Sequence, residues 1–132
     1  GRVFCFWRKY AGLSHKPGGR DSRQALGREL ERGCGLLLLA EDGRKIVGSV
    51  LATHDGRKGW INRLAVHPAF RKKSIATALT VRAEEWLEKE GMQIWTCLIE
   101  AGNTRSMDFF KDRGYVKHED IIYFSKRKHP AV

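Results

Sequence analysis

The chain has 132 residues, enough for one compact domain over residues 1–132, and its 42% hydrophobic content suits a globular interior. Its 25 Lys and Arg against 15 Asp and Glu give a net charge of +10, which favours polyanions: phosphorylated cofactors, anionic lipids or nucleic acids. No apolar run approaches the roughly 18–20 residues of a membrane span, and the three cysteines, Cys5, Cys34 and Cys97, cannot all pair within one chain.

The histidines are scattered with no His-x-x-x-His pair and no cysteine sits in a Cys-x-x-Cys pair, so no metal is expected. Residues 1–10 mix Val3, Phe4, Phe6 and Trp7 with Arg2, Arg8 and Lys9 and lack the sustained apolar centre of a secretory signal. A cytoplasmic protein with reduced thiols and no membrane partner is the expectation.

In chain order, Val3, Phe6, Trp7 and Tyr10 have helix-like spacing ahead of Gly12, and Pro17-Gly18-Gly19 reads as a loop. Asp21 or Ser22 caps a second helix to about Arg32, ended by Gly33-Cys34-Gly35. The period then changes. Residues 36–40 form a continuous apolar run, residues 41–44 a hairpin turn, and residues 46–54 the partner strand. A second turn at residues 55–59 leads into a strand over residues 60–66, closed by Pro68. The spacing predicts the chain's strongest helix over residues 74–90, with Ile75, Leu79, Ala83, Trp86 and Leu87 on its apolar face and Gly91 as its stop. A strand over residues 92–100, a helix over residues 103–113 stopped by Gly114, strands over residues 115–117 and 121–125, and a basic tail at Lys126-Arg127-Lys128 complete the pattern. This order predicts an α/β fold, a mixed sheet with helices on both faces.

The most informative segment is Leu64-Ala65-Val66-His67-Pro68-Ala69-Phe70-Arg71-Lys72-Lys73-Ser74-Ile75-Ala76-Thr77-Ala78-Leu79. An apolar strand enters a short loop with three consecutive cations, and the loop opens into a helix. A helix N-terminus offers unpaired N–H groups and partial positive charge, so with cations ahead of it this is a receptor for a pyrophosphate. Small residues at Ser74, Ala76 and Ala78 allow close approach to the backbone.

The segment resembles the acetyl-CoA signature of the GNAT superfamily of N-acetyltransferases, a strand ending Leu-Ala-Val followed by Arg/Gln-x-x-Gly-x-Gly/Ala. A second block, Asn103 to Tyr115, is similar to the family's Asn-x-x-Ala/Ser-x-x-Phe-Tyr-x-x-x-Gly-Phe/Tyr pattern. The resemblance covers roughly residues 36–125. It implies a mostly antiparallel central sheet flanked by helices and transfer of an acetyl group from acetyl-CoA to a primary amine of a small molecule or a peptide (a protein N-terminus or lysine), by direct attack in a ternary complex. It implies that Leu64, Ala65 and Val66 align the pantetheine arm, with Leu64 N–H polarising the acetyl carbonyl. Amides of Lys72, Lys73, Ser74, Ile75, Ala76 and Thr77, with the side chains of Arg71 and Lys73, would hold the pyrophosphate. Asn103, Ser106, Phe109 and Phe110 would line the pantetheine.

The sequence departs from the pattern at four places. Ser74 replaces the first signature glycine, which costs about 1–2 kcal/mol if that backbone is left-handed. Phe110 stands where many relatives carry a tyrosine proposed as general acid, and Leu98 where some carry a glutamate base. Glu100, on the same strand face as Leu98, is the candidate base; Asn62 and His67 are weaker ones, and Trp60 is a candidate acceptor contact. Finally, no strand is visible before Val3, where relatives usually have one. Either that strand is lacking or residues 1–10 are used differently; a lacking strand would leave an edge for a second copy to cover, hence a homodimer.

Two other readings stand beside the acetyltransferase. Phe110, Leu98 and Ser74 motivate a CoA-binding module with weak catalysis, and the charge of +10 alone motivates a small nucleic-acid-binding domain.

Overall fold

A computed structural model describes residues 33–71 and 74–130. Both helices expected before residue 33, the question of a first strand, and Lys72 and Lys73 lie outside the described residues. The elements are β1 (Gly35–Asp42), β2 (Lys45–His54), β3 (Gly59–Val66), a 3-10 turn (Pro68–Phe70), α1 (Ile75–Lys89), β4 (Trp95–Thr96) and α2 (Thr104–Asp112). They divide into two compact units, one running through Cys97 and the other comprising Leu98–Pro130.

In the first unit the sheet order is β1-β2-β3-β4. The first three strands are antiparallel, and β4 joins β3 in parallel after the α1 crossover, so the sheet is mixed, as expected. Directly opposed residues share a face, which puts Ala40, Gly48 and Val66 together on one side. That side receives α1. A Cβ on Gly48 would lie 3.0 Å from Ile75 Cγ2, and one on Gly59 would lie 2.9 Å from Leu87 Cδ2. The two glycines therefore let the helix approach the sheet at both its ends. Val47, Ser49, Leu51 and Ala65 occupy the opposite side and are also buried.

Helix α1 buries Leu79, Thr80, Ala83 and Leu87. Three of these belong to the apolar face expected from the sequence. Thr80 does not: it is fully buried, and its hydroxyl has no hydrogen-bond partner among the described residues. An unmet buried hydroxyl costs about 1–3 kcal/mol, and valine keeps the shape without the polar atom. Thr80→Val is expected to raise stability by about 1 kcal/mol, read as a higher urea midpoint at unchanged m-value.

Both helices stop by one device. Gly91, at φ +91°, donates to the Glu88 carbonyl, and Met92 N–H returns to Leu87 O at 3.0 Å. In α2, Gly114 donates to Lys111 O and Tyr115 N–H to Phe110 O at 2.9 Å. These paired bonds satisfy carbonyls that the last helical turn leaves open, at a residue able to take positive φ. In α2 this also folds Tyr115 back onto Phe110, with ring centroids 4.9 Å apart, and Met92 after α1 is buried.

Three expected strands are corrected. The strand expected over residues 92–100 is limited to Trp95–Thr96, paired with Gly59 and Trp60. Residues 115–117 and 121–125 form no strand, and Val116, Ile121, Ile122, Tyr123 and Phe124 are exposed. Their alternation and β-branched content suit a strand, but membership of a sheet requires a ladder partner, which a local pattern cannot supply.

Candidate functional site

The site begins with a break in the β2–β3 ladder. Ser49 opposes Ala65 and Leu51 opposes Asn62, so Val50 alone faces Arg63 and Leu64. Two residues against one is a β-bulge, which bends the strand and increases its twist. Arg63 takes φ +57°, a left-handed conformation rare for a residue with a side chain. Its carbonyl accepts a hydrogen bond of 3.1 Å from Ser49 Oγ. The ladder to β4 ends at Trp60 and Thr96, before the bulge. Past that point the β4 side of β3 carries no ladder among the described residues, so Leu64, Ala65 and Val66 lie along an edge able to receive an extended ligand by main-chain hydrogen bonding.

Val66 then leads into the 3-10 turn. His67 Nδ1 accepts from Ala69 N–H at 3.1 Å, which leaves its ring proton on Nε2, and the ring packs edge-on against Phe70 at 5.7 Å. These bonds account for His67 as the cap of the turn. Arg71 Nε–H donates to Val66 O at 3.1 Å, tying the guanidinium to the end of β3.

Ser74 enters α1 at φ 62°, ψ 16°, and its side chain makes no capping bond. The positive φ anticipated at this signature position is present, with serine bearing it. A left-handed residue followed by helical ones turns successive N–H groups toward a common point, an anion-binding arrangement. The first intrahelical bond runs from Ala78 N–H to Ser74 O, and the first turn holds no acidic residue. The N–H groups of Ile75, Ala76 and Thr77 thus face no carboxylate from their own turn, and Arg71 precedes them. Such a set fits a diphosphate chemically. Ser74→Gly is expected to raise the stability of the ligand-free chain by about 0.5–1 kcal/mol, because glycine takes this backbone without the steric cost; thermal or urea unfolding measures it.

The second unit holds the other expected site residues. Asn103 Oδ1 accepts from Ser106 N–H at 3.2 Å and caps α2. Its side-chain carbonyl is engaged there, which leaves the NH2 group as the donor available to a ligand. Phe110 is buried, with its ring edge-on to Phe109 at 5.2 Å and to Tyr115. Leu98 is 58% exposed, and Glu100 is exposed, with its carbonyl accepting from Asn103 N–H at 2.9 Å. No proton-transfer group occupies either position 98 or position 110.

The β2–β3 turn is rigidly built. Asp55 Oδ1 accepts from Arg57 N–H at 2.9 Å and Lys58 N–H at 2.8 Å. Those donors, Lys58 first, hold the Asp55 carboxyl below its usual value. Lys58 Nζ sits 5.0 Å from the Trp60 ring centroid, so one face of Trp60 carries a cation of its own chain. His54 joins the turn to the end of α1: Nδ1 accepts from Gly56 N–H, and Nε2 donates to Glu90 Oε1 at 3.2 Å. Burial pushes the Cys97 thiol up to about 11, which makes it a poor nucleophile at neutral pH. No group of three His, Cys, Asp or Glu able to hold a metal occurs among the described residues, and none of their helices is long and apolar enough to cross a membrane.

Sequence reasoning passed over Ser49 and Arg63. The only available signal was a serine inside the otherwise apolar run of β2.

The chain matches the family model of the Acetyltransferase (GNAT) family over residues 5–115. It is similar in structure to an aminoglycoside antibiotic 6'-N-acetyltransferase from Acinetobacter haemolyticus, with TM-score 0.71 and 22% identity over 92% of this chain and 88% of the other. It is similar also to an acetyltransferase from Clostridium acetobutylicum solved with acetyl-CoA, with TM-score 0.73 and 15% identity over 94% and 84%. The PaiA N-acetyltransferase of Thermoplasma acidophilum, solved with coenzyme A, matches with TM-score 0.67 and 23% identity over 78% and 67%. With a strand edge opened by a bulge, Arg71 beyond its end and a helix start without a side-chain cap, in the order of its sequence motifs, this chain belongs to the GNAT acetyltransferase family.

Proposed function

We propose that the protein transfers an acetyl group from acetyl-CoA to a primary amine of a small molecule. The carrying observation is the course of β3, which leaves its ladder with β4 after Trp60, bulges at Arg63 and Leu64, and runs through Arg71 into the left-handed Ser74 at the head of α1. Leu64, Ala65 and Val66 receive the pantetheine arm, while Arg71, the amides from Ser74 to Thr77, and Lys72 and Lys73 hold the diphosphate. The family resemblance assigns Asn103, Ser106, Phe109 and Phe110 to the same arm.

The amine nitrogen attacks the thioester carbonyl carbon. The C–N bond forms, charge gathers on the carbonyl oxygen against Leu64 N–H, and the C–S bond breaks to release the thiolate. A base takes the ammonium proton before attack, and the second proton lost by the nitrogen as the amide forms passes through water to the thiolate. Glu100 is the proposed base: it is an exposed carboxylate immediately ahead of α2, whereas Leu98 and Phe110 cannot move protons. The aminoglycoside enzymes among the structural neighbours support a small-molecule acceptor.

The test is release of free CoA thiol from acetyl-CoA with a panel of amines: aminoglycosides, simple polyamines, a free peptide N-terminus and a lysine peptide. Turnover with one class assigns the acceptor. Acetyl-CoA binding with no thiol release from any member would favour instead a CoA-binding module, the reading that Leu98 and Phe110 motivate. Glu100→Gln is expected to lower kcat about 100-fold at neutral pH with little change in acetyl-CoA affinity; unchanged turnover removes Glu100 from the mechanism.

A further inference from the structure

We infer that Ser49 is a positioning residue for the acetyl-transfer step, acting through Arg63 to aim and strengthen the Leu64 N–H. The inference rests on the proposed role of Leu64 as donor to the thioester carbonyl.

The geometry follows from one peptide plane. The carbonyl of Arg63 and the N–H of Leu64 belong to the same trans peptide, so the two dipoles point in opposite directions. Ser49 Oγ holds that carbonyl at 3.1 Å from the β2 side. The Leu64 N–H is thereby turned away from β2, toward the side of β3 where the ladder with β4 has ended. Arg63 holds φ +57° in this orientation, and a conformation so sparsely populated persists where neighbouring structure fixes it. Ser49 is the fixing group. It is fully buried, sits next to the register shift, and uses its hydroxyl on this carbonyl. A hydrogen bond to the oxygen also polarises the peptide and makes its N–H a better donor. Ser49 touches no reacting atom.

The bulge leaves no mark in the local sequence of β3. It becomes visible when Ser49, fourteen residues earlier, is seen bonded to the residue that carries the strain.

Two variants separate a hydrogen-bonding role from a packing role. Ser49→Ala removes the donor, whereas Ser49→Cys fills the space with a weak one. The measurements are kcat and the carbonyl stretch of bound acetyl-CoA labelled with carbon-13 at the acetyl carbon; the stretch needs no acceptor. In the unsubstituted protein the bound carbonyl is expected to absorb at lower frequency than in free acetyl-CoA. In both variants it should move back toward the free value. kcat should fall about tenfold, less than the 100- to 1000-fold loss on deleting an oxyanion donor outright, with acetyl-CoA affinity held within about twofold.

Wild-type frequency and kcat in either folded variant overturn the inference, and Ser49→Cys restoring what Ser49→Ala loses assigns Ser49 to packing. Should Ser49→Ala fail to fold, Ser49→Cys carries the test alone. An unshifted carbonyl in the unsubstituted protein refutes the Leu64 reading itself, and Ser49 falls with it. The two failures are therefore distinguishable.

Discussion

Leu87→Ala is expected to destabilise the chain by about 3 kcal/mol, within the range of about 2–5 kcal/mol for buried leucine truncations. Leu87 is fully buried in the last turns of α1, and its methyls fill the space that a side chain on Gly59 would otherwise take. Its carbonyl also accepts the Met92 bond that ends the helix. Alanine opens a cavity beside a residue with no side chain, so nothing on β3 can collapse into it. Urea unfolding measures the loss, with an unchanged m-value showing that the unfolded state is the same. Leu87→Met, which nearly conserves volume, should cost below about 1.5 kcal/mol. A loss below about 1 kcal/mol for Leu87→Ala would mean that α1 is not seated on β3 at Gly59.

Arg71→Ala has the largest expected effect on ligand binding among single side chains of the proposed diphosphate site. A charge-assisted hydrogen bond contributes about 1.5–3 kcal/mol, so acetyl-CoA affinity should fall about 30-fold. The salt dependence of binding should weaken together with the affinity. Arg71→Lys should recover only part of the loss. Lysine restores the charge but cannot both donate from an Nε position to Val66 O and present a guanidinium fork to phosphate. Calorimetric titration at two salt concentrations checks both statements. An unchanged affinity would place the anion site elsewhere.

Much of the fold was legible because its elements carry strong local signals. The apolar spacing of Leu79, Ala83 and Leu87 marks α1, and Gly91 and Gly114 mark where two helices end. The change from helical to strand period at Leu36 marks the start of the hairpins. The features the sequence did not yield are relations between distant residues. Thr80 counts as polar in any pattern, yet its place beside Leu87 on the helix surface leaves it buried. Residues 121–125 have the composition of a strand, but pairing is a property of two segments. The bulge at Arg63 likewise exists only as a register difference between β2 and β3.

The candidate site divides along the same line. The proposed phosphate-binding segment was readable because its parts are contiguous, and the left-handed backbone at Ser74 appears where the family's signature places a glycine. Tripeptide Leu64-Ala65-Val66 was readable only through the resemblance. Its structural basis, a bulge held by Ser49, required the fold. For Trp60, the acceptor contact expected from the sequence, the fold adds that Lys58 lies over one face of the ring.

The proposed function stands on Arg71 and the first turn of α1 binding the diphosphate of the acetyl donor. Calorimetric titration with acetyl-CoA and, separately, with acetylpantetheine, which lacks the diphosphate and nucleotide, tests it most directly. Saturable one-to-one binding of acetyl-CoA, at least about 100-fold tighter than acetylpantetheine and weakening as salt rises, is the predicted result. Equal affinity for the two compounds, or no binding of acetyl-CoA, would contradict it.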